Sequence, residues 1–264
     1  MQLRDETRAA VAAVDTALTL MRARAGADRI TSKGGRDLVT ATDVAVEDAV
    51  RASLLAEYPE WTVVGEERGG EDRIGDRPYW LVDPICGTRN FASNIPLYAV
   101  NIALVQDGQL TVSAVGDGGT GDRFVAERGQ GAYQLLPDGP QRIAADPDSL
   151  ILSFSAGTPK PGMRAAIGAD FTHAAIVADR WDLRMLSSTI SLAHLASGRI
   201  GAYLLFEISS PVHVAAGALL AAEAGALVTD THGQPWTVEC PSILAASGSE
   251  LHRDLLALVA RTVA

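Results

Sequence analysis

The chain has 264 residues, 47% of them hydrophobic and 20% charged, with a formal net charge of −10. That length buries a sizeable core in one large domain or two packed halves, and the composition excludes a disordered chain. An acidic chain has no overall field to draw nucleic acid or an anionic membrane surface, so neither is expected as a partner, and phosphate would have to be held locally.

Residues 2–26 read as an amphipathic helix, with Val11, Val14, Ala17, Leu18 and Met21 on one face and Gly26 as its stop. Asp5 and Glu6 stand where a secretion signal needs an apolar core. No apolar run reaches the ~20 residues of a membrane span, and a cytoplasmic protein is expected. Residues 33–36 read as a loop. Thr40 or Thr42 then caps a second helix whose apolar stripe is Val44, Val46, Ala49, Val50, Leu54 and Leu55, ended by Tyr58-Pro59. Asp43 lies in its first turn, where a carboxylate favours the helix dipole. Residues 61–64 form a short predicted strand that leads into Gly65-Glu66-Glu67. Residues 68–78 are polar and glycine-rich, as in a mobile surface loop.

Trp80, Leu81 and Val82 read as the end of a buried strand that stops at Asp83-Pro84. Gly87-Thr88 follows as a tight turn with a hydroxyl. A carboxylate at a strand tip beside such a turn is a common place to hold a cation or a phosphate. Cys86 sits inside this motif, and Cys240 is far away in sequence. A disulfide framework is therefore not expected, in keeping with a reducing compartment.

Residues 100–105 and 110–115 read as a hairpin around Asp107-Gly108, with further strand pieces at 124–126 and 131–133. The run 116–121, GDGGTG, lacks the Lys-Ser/Thr ending of a nucleotide-binding loop. Residues 136–149 read as a linker into a second half, dividing the chain at 145/146. In that half, 150–154 and 202–206 are predicted strands, and 161–168 starts a helix. Residues 187–198 form another helix, with Ser187 or Ser188 near its cap and Gly198 at its stop. His194 within it reads as a packing residue. A helix opens at Pro211 and runs through Glu223 to Gly225. Residues 243–246 belong to a closing strand pair, and 249–263 to a terminal helix.

Residues 83–88, DPICGT, resemble the Asp-Pro-x-Asp-Gly-Thr/Ser segment of the inositol monophosphatase family. The likeness continues at Lys33, Asp37, Thr40 and Asp43, at Gly65-Glu66-Glu67, at Ala196-Ser197-Gly198-Arg199, and at Pro211 through Gly217. It spans nearly the whole chain. It implies an α/β fold, a layered α-β-α-β-α sandwich with the active site between two subdomains, and commonly a homodimer. The implied reaction is metal-assisted hydrolysis of a small phosphomonoester. The implied metal ligands are Glu66, Asp83 and the carbonyl of Ile85. Asp43 and Thr88 would orient the attacking water, and Lys33, Gly87, Thr88, Ser187 and Glu207 would meet the substrate.

Two positions depart from the family at the chemistry. Cys86 replaces the second Asp of the motif, and His213 replaces the Asp of the family's Pro-Trp-Asp segment. Thiol and imidazole are poor partners for Mg²⁺. Three readings follow: a repurposed enzyme with one divalent metal, Mg²⁺ or Zn²⁺; a non-catalytic member that binds a ligand or a partner; and a working Mg²⁺ phosphatase. Glu66, Asp83, Cys86 and His213 as a mixed oxygen, sulfur and nitrogen set would suit Zn²⁺. Cys86 is otherwise a nucleophile with His213 as base, or a small apolar filler. Leu186 stands where the family has a glycine. Gly201 and Leu205 stand where it has acids, leaving Glu207 as the substrate-side acid.

Overall fold

The first predicted helix forms as α1 (Asp5–Arg24), which buries Ala10, Ala13, Val14, Ala17, Leu18 and Met21 along one side. The computed structural model describes residues 3–24, 31–34, 37–70, 77–155 and 167–263, so the predicted stop at Gly26 lies outside it. A short antiparallel pair follows, β1 (Thr31–Gly34) and β2 (Asp37–Val39). Lys33 and Gly34 therefore belong to a strand, not to the predicted loop, because β2 offers their backbone a pairing partner. Thr40 rather than Thr42 caps α2 (Ala41–Glu57). Its hydroxyl accepts the Asp43 N–H at 3.3 Å, and Asp43 Oδ2 accepts the Thr40 N–H at 2.8 Å. That reciprocal pair satisfies two N–H groups that a helix start leaves open.

Seven strands then form one sheet in sequence order: β3 (Thr62–Gly65), β4 (Tyr79–Cys86), β5 (Ala99–Gln106), β6 (Gln109–Asp117), β7 (Arg123–Glu127), β8 (Gly131–Leu136) and β9 (Gly139–Ile143). Only β3 and β4 are parallel. Strand β4 does not stop at Asp83-Pro84 as predicted; it continues to Cys86. Its register against β5 shifts between Asp83 and Cys86, and such a bulge is where a strand tolerates proline. The predicted linker also carries structure, namely β9. It is an edge strand with mostly exposed residues, so its composition looks like a loop.

Five strands form the second sheet, in the order β11-β10-β12-β14-β13: β10 (Ile151–Ser155), β11 (Asp182–Arg184), β12 (Ala202–Leu205), β13 (Leu227–Thr229) and β14 (Ile243–Ala246). The remaining helices are α3 (Thr88–Ala92), α4 (Ile167–Ala178), α5 (Ile190–Ala196), α6 (Ala215–Glu223) and α7 (Ser249–Val263). Most of the predicted helix start at 161–168 lies outside the described residues.

Side chains alternate across the strands and divide the core between layers. Trp80, Val82, Val100, Ile102 and Leu104 pack against α1 and α2. Leu81, Ala99, Ala103 and Val105 face the other way, against Ile190, Ala216, Leu219 and Leu220. Leu192, Leu195, Ala218 and Ala221 turn to Tyr203, Leu205, Ile243 and Ala245 of the second sheet. The outer face of that sheet, with Phe154, Leu204 and Leu244, is covered by Phe171, Ala175, Leu255 and Leu258. The order is helix, sheet, helix, sheet, helix. Helix α6 lies between two sheets, and its residues from Ala215 to Ala221 are all buried, which is where the alanine-rich composition is used. Among the described residues no helix is long and apolar enough to cross a membrane.

Candidate active site

The parallel pairing of β3 and β4 sets Gly65 opposite Val82, so Glu66, just past the end of β3, comes beside Asp83 within β4. The Glu66 N–H donates to Val82 O at 3.2 Å. His213 arrives from the other side of the sequence on a 3-10 turn, Pro211–His213, capped by Ser210. The regular helix opens only at Ala215, not at Pro211 as predicted, because the turn still closes i to i+3 bonds. His213 Nδ1 lies 2.8 Å from Asp83 Oδ2 and 4.0 Å from Glu66 Oε2.

One ligand atom from each of Glu66, Asp83 and His213 lies within 4.8 Å of the others. Asp83 is fully buried, and its Oδ1 has no hydrogen-bond partner among the described residues. An orphaned buried acceptor costs about 1–3 kcal/mol. A divalent cation would remove that cost. Two carboxylates with one imidazole make a mixed oxygen and nitrogen donor set of a kind that Zn²⁺ takes.

Cys86 does not join this group, contrary to the expected four-residue set. Its Sγ accepts the Thr189 hydroxyl at 2.8 Å and the Thr189 N–H at 3.2 Å, at the start of α5. Its carbonyl accepts the Ser188 hydroxyl at 2.9 Å. Burial pushes the Cys86 thiol well above its ordinary value. The Asp83 charge adds to this, and the Thr189 bonds oppose it. A thiol held protonated is a poor nucleophile. Gly87 makes the turn that follows. Its φ is 101°, and a Cβ there would stand 2.9 Å from Leu97 O. Only glycine takes that conformation without strain.

Thr88 begins α3 and donates its hydroxyl to Asp43 Oδ1 at 3.0 Å and to Ile85 O at 3.2 Å. The other oxygen of Asp43 accepts the Thr40 hydroxyl at 2.5 Å. The cap of α2 is thus wired through Thr88 to the end of β4, the strand that carries Asp83. Burial raises the Asp43 carboxyl, the Thr40 and Thr88 bonds pull it down, and the Asp83 charge raises it again.

Beside this cluster lies a cavity of 290 Å³ lined by Cys86, Arg89, Ser187, Tyr203, Glu207 and His213, among others. Ser187 and Glu207, expected to meet a substrate, are both on its wall. Ser187 rather than Leu186 takes the left-handed conformation, with φ 53°. A serine there costs on the order of 1–3 kcal/mol. Gly87 shapes the turn without lining the cavity. The side chain of Lys33 lies outside the described residues. Sequence reasoning missed Arg89 and Tyr203. Arg89 directly follows the Gly-Thr pair, and nothing in the spacing separates it from a solvated arginine. Tyr203, Leu205 and Glu207 alternate, and that period of two was the available signal.

The model of the inositol monophosphatase family matches residues 2–264. The chain belongs to that family. Its relatives include a protein named Nus factor SuhB from Vibrio cholerae, 33% identical over 82% of this chain and 80% of that one. Another is an inositol-1-monophosphatase from Mesorhizobium japonicum, 32% identical over 88% and 86%. Among solved structures, the Thermotoga maritima IMPase superposes with a TM-score of 0.86, covering 98% of both chains at 22% identity. That likeness concerns the fold alone. Mycobacterium tuberculosis SuhB superposes with a TM-score of 0.73 at 26% identity, covering 97% and 94%. The layered α/β sandwich of inositol monophosphatases is therefore the fold of this chain.

Proposed function

We propose that this family member acts on a small phosphorylated metabolite, sugar- or cyclitol-like, at a one-metal centre, with Mg²⁺-dependent phosphatase activity weak or lost. The observation that carries the reading is the placement of His213 against Asp83, with Cys86 turned away to Thr189. Glu66, Asp83, the carbonyl of Ile85 and His213 would hold the cation, and Zn²⁺ suits that donor set better than Mg²⁺. When bound, it supplies positive charge at the phosphate oxygens and a more acidic water. The chain's own residues do the rest. Asp43 fixes the direction of the Thr88 hydroxyl toward the metal loop. Arg89 brings a cation to the cavity wall, and Ser187 and Glu207 offer polar contacts to ring hydroxyls.

The test is the metal content of the purified protein, read beside a phosphatase screen on inositol monophosphate with Mg²⁺, Mn²⁺ and Zn²⁺. Retained Zn²⁺ is expected, with Mg²⁺-supported turnover below about 1 per second, slow for an enzyme. Faster turnover with Mg²⁺ overturns the reading in favour of a plain phosphomonoesterase. A non-catalytic, partner-binding role is the second reading, and it draws on the Nus factor name of the SuhB relatives. The expected homodimer is tested by mass in solution at micromolar concentration.

A further inference from the structure

Helix α2 carries a carboxylate that the apolar stripe does not explain. Glu47 sits beside Val46 and Val50 and is fully buried. A buried charge is costly unless it is paired and hydrogen-bonded. Here it is both. Glu47 Oε2 accepts the Glu67 N–H at 2.6 Å, and Oε1 accepts the Arg68 N–H at 3.0 Å. Arg51, one helical turn on, lies 3.2 Å from Oε1. Its guanidinium also donates to Val63 O at 2.7 Å and to Gly69 O at 2.9 Å. The two side chains thus hold backbone groups on both sides of Glu66.

The fit is close. A Cβ added at Gly65 would stand 2.0 Å from Glu47 Oε1, so the turn passes directly over the carboxylate. Gly65 N–H donates to Gly69 O at 2.9 Å and closes the turn, while Glu66 N–H is tied to β4. Glu66 stands on this turn, just past the end of β3, so the path of the turn helps to set where its carboxylate lies.

We propose that Glu47 is a positioning residue: through the Glu67 and Arg68 amides it sets where the Glu66 carboxylate stands in the metal centre. The inference rests on the reading of Glu66 as a ligand. Outer partners that orient a ligand are worth about 10–100-fold in metal affinity.

The experiment compares Zn²⁺ binding to wild type and to Glu47→Gln by titration calorimetry. Glutamine keeps the volume but points an amide N–H₂ at one of the two backbone donors. Zn²⁺ binding to the folded variant should weaken about tenfold or more, although the lost buried hydrogen bonds also lower its melting temperature. Exchange of the amides of residues 66–69 supplies a second readout in wild type alone. They should gain protection when Zn²⁺ is added, and Glu47→Gln should lose that gain. Equal affinities, or no change in exchange at these amides, overturn the inference and leave the metal reading intact. No Zn²⁺ binding by wild type overturns both. If Glu47→Gln fails to fold, Glu47→Asp replaces it. That variant keeps the charge beside Arg51 but is too short to reach both the Glu67 and Arg68 amides, and unchanged Zn²⁺ affinity in it is equally fatal.

Discussion

The two walls of the cleft differ in kind. On the wall built by the seven-stranded sheet stand Glu66 and Asp83, the Ile85 carbonyl and the Thr88–Asp43 pair, all oxygen groups held by strand tips and a helix cap. The wall built by the central helices offers an imidazole from His213 and the Thr189 hydroxyl, which engages the thiol that Cys86 brings from the end of β4. The first wall has what a hard cation needs. The second offers nitrogen, and it keeps the β4 sulfur engaged. The two walls belong to one family fold and differ in the donors they bring to the cleft.

The largest expected effect breaks the first wall. Asp83→Asn removes the fully buried carboxylate at the centre of the cluster, and divalent metal binding should fall by more than the about 100-fold that bounds an outer partner. Calorimetry with Zn²⁺ reads this directly. Binding that survives would move the metal centre elsewhere.

Placing carboxylates on both sides of the cleft comes next. Cys86→Asp combined with His213→Asp should raise Mg²⁺-dependent hydrolysis of inositol monophosphate at least about tenfold, or about 1.4 kcal/mol of barrier. Each single change should do much less, since one cation needs both ligands. No gain in the double variant would mean that the walls differ for some other reason than metal choice.

His213→Asp alone isolates the imidazole. It should lower the preference for Zn²⁺ over Mg²⁺ by about tenfold, equivalent to about 1.4 kcal/mol. Competition between the two ions in the same titration measures it.

The smallest effect belongs to a pair that sits on neither wall. His194, read from sequence as packing, places Nε2 3.5 Å from Asp117 Oδ2, while Gly119 and Thr120 donate their N–H groups to Oδ1. Burial pushes the Asp117 carboxyl up, and these bonds outweigh it, leaving it below its ordinary value. Its contribution to stability is therefore full above the unfolded carboxylate range, about pH 4. It is lost as the pH falls through the lower folded value. Asp117→Asn should flatten that acid slope by about 1 kcal/mol, the size of one hydrogen bond. Urea unfolding between neutral and acid pH checks it, and an unchanged slope would rule the pair out as an acid-sensitive contact.

Much of the fold was legible because local rules agree with the final packing. The stripe Val46, Val50 and Leu54 becomes the buried side of α2, and the Asp107-Gly108 turn closes the β5–β6 hairpin. Edge strand β9 was not legible, since an exposed strand has no apolar alternation to show. Glu47 was not legible either. A glutamate four residues before an arginine on a helix reads as a surface pair. Only the neighbouring turn makes it a buried clamp.

By itself, the sequence determined the family fold and the identities of the donors, since residue type and spacing carry both: DPICGT, Gly-Glu-Glu and the Pro211 segment occur in order along the chain. Tertiary structure decided which donors share one space. Asp83 and His213 are 130 residues apart, yet their side chains lie 2.8 Å from each other. Cys86 is three residues from Asp83 and turns its sulfur to Thr189 instead. Sequence distance does not set this, because a bulge in β4 and the left-handed turn at Gly87 re-aim side chains that are neighbours along the chain.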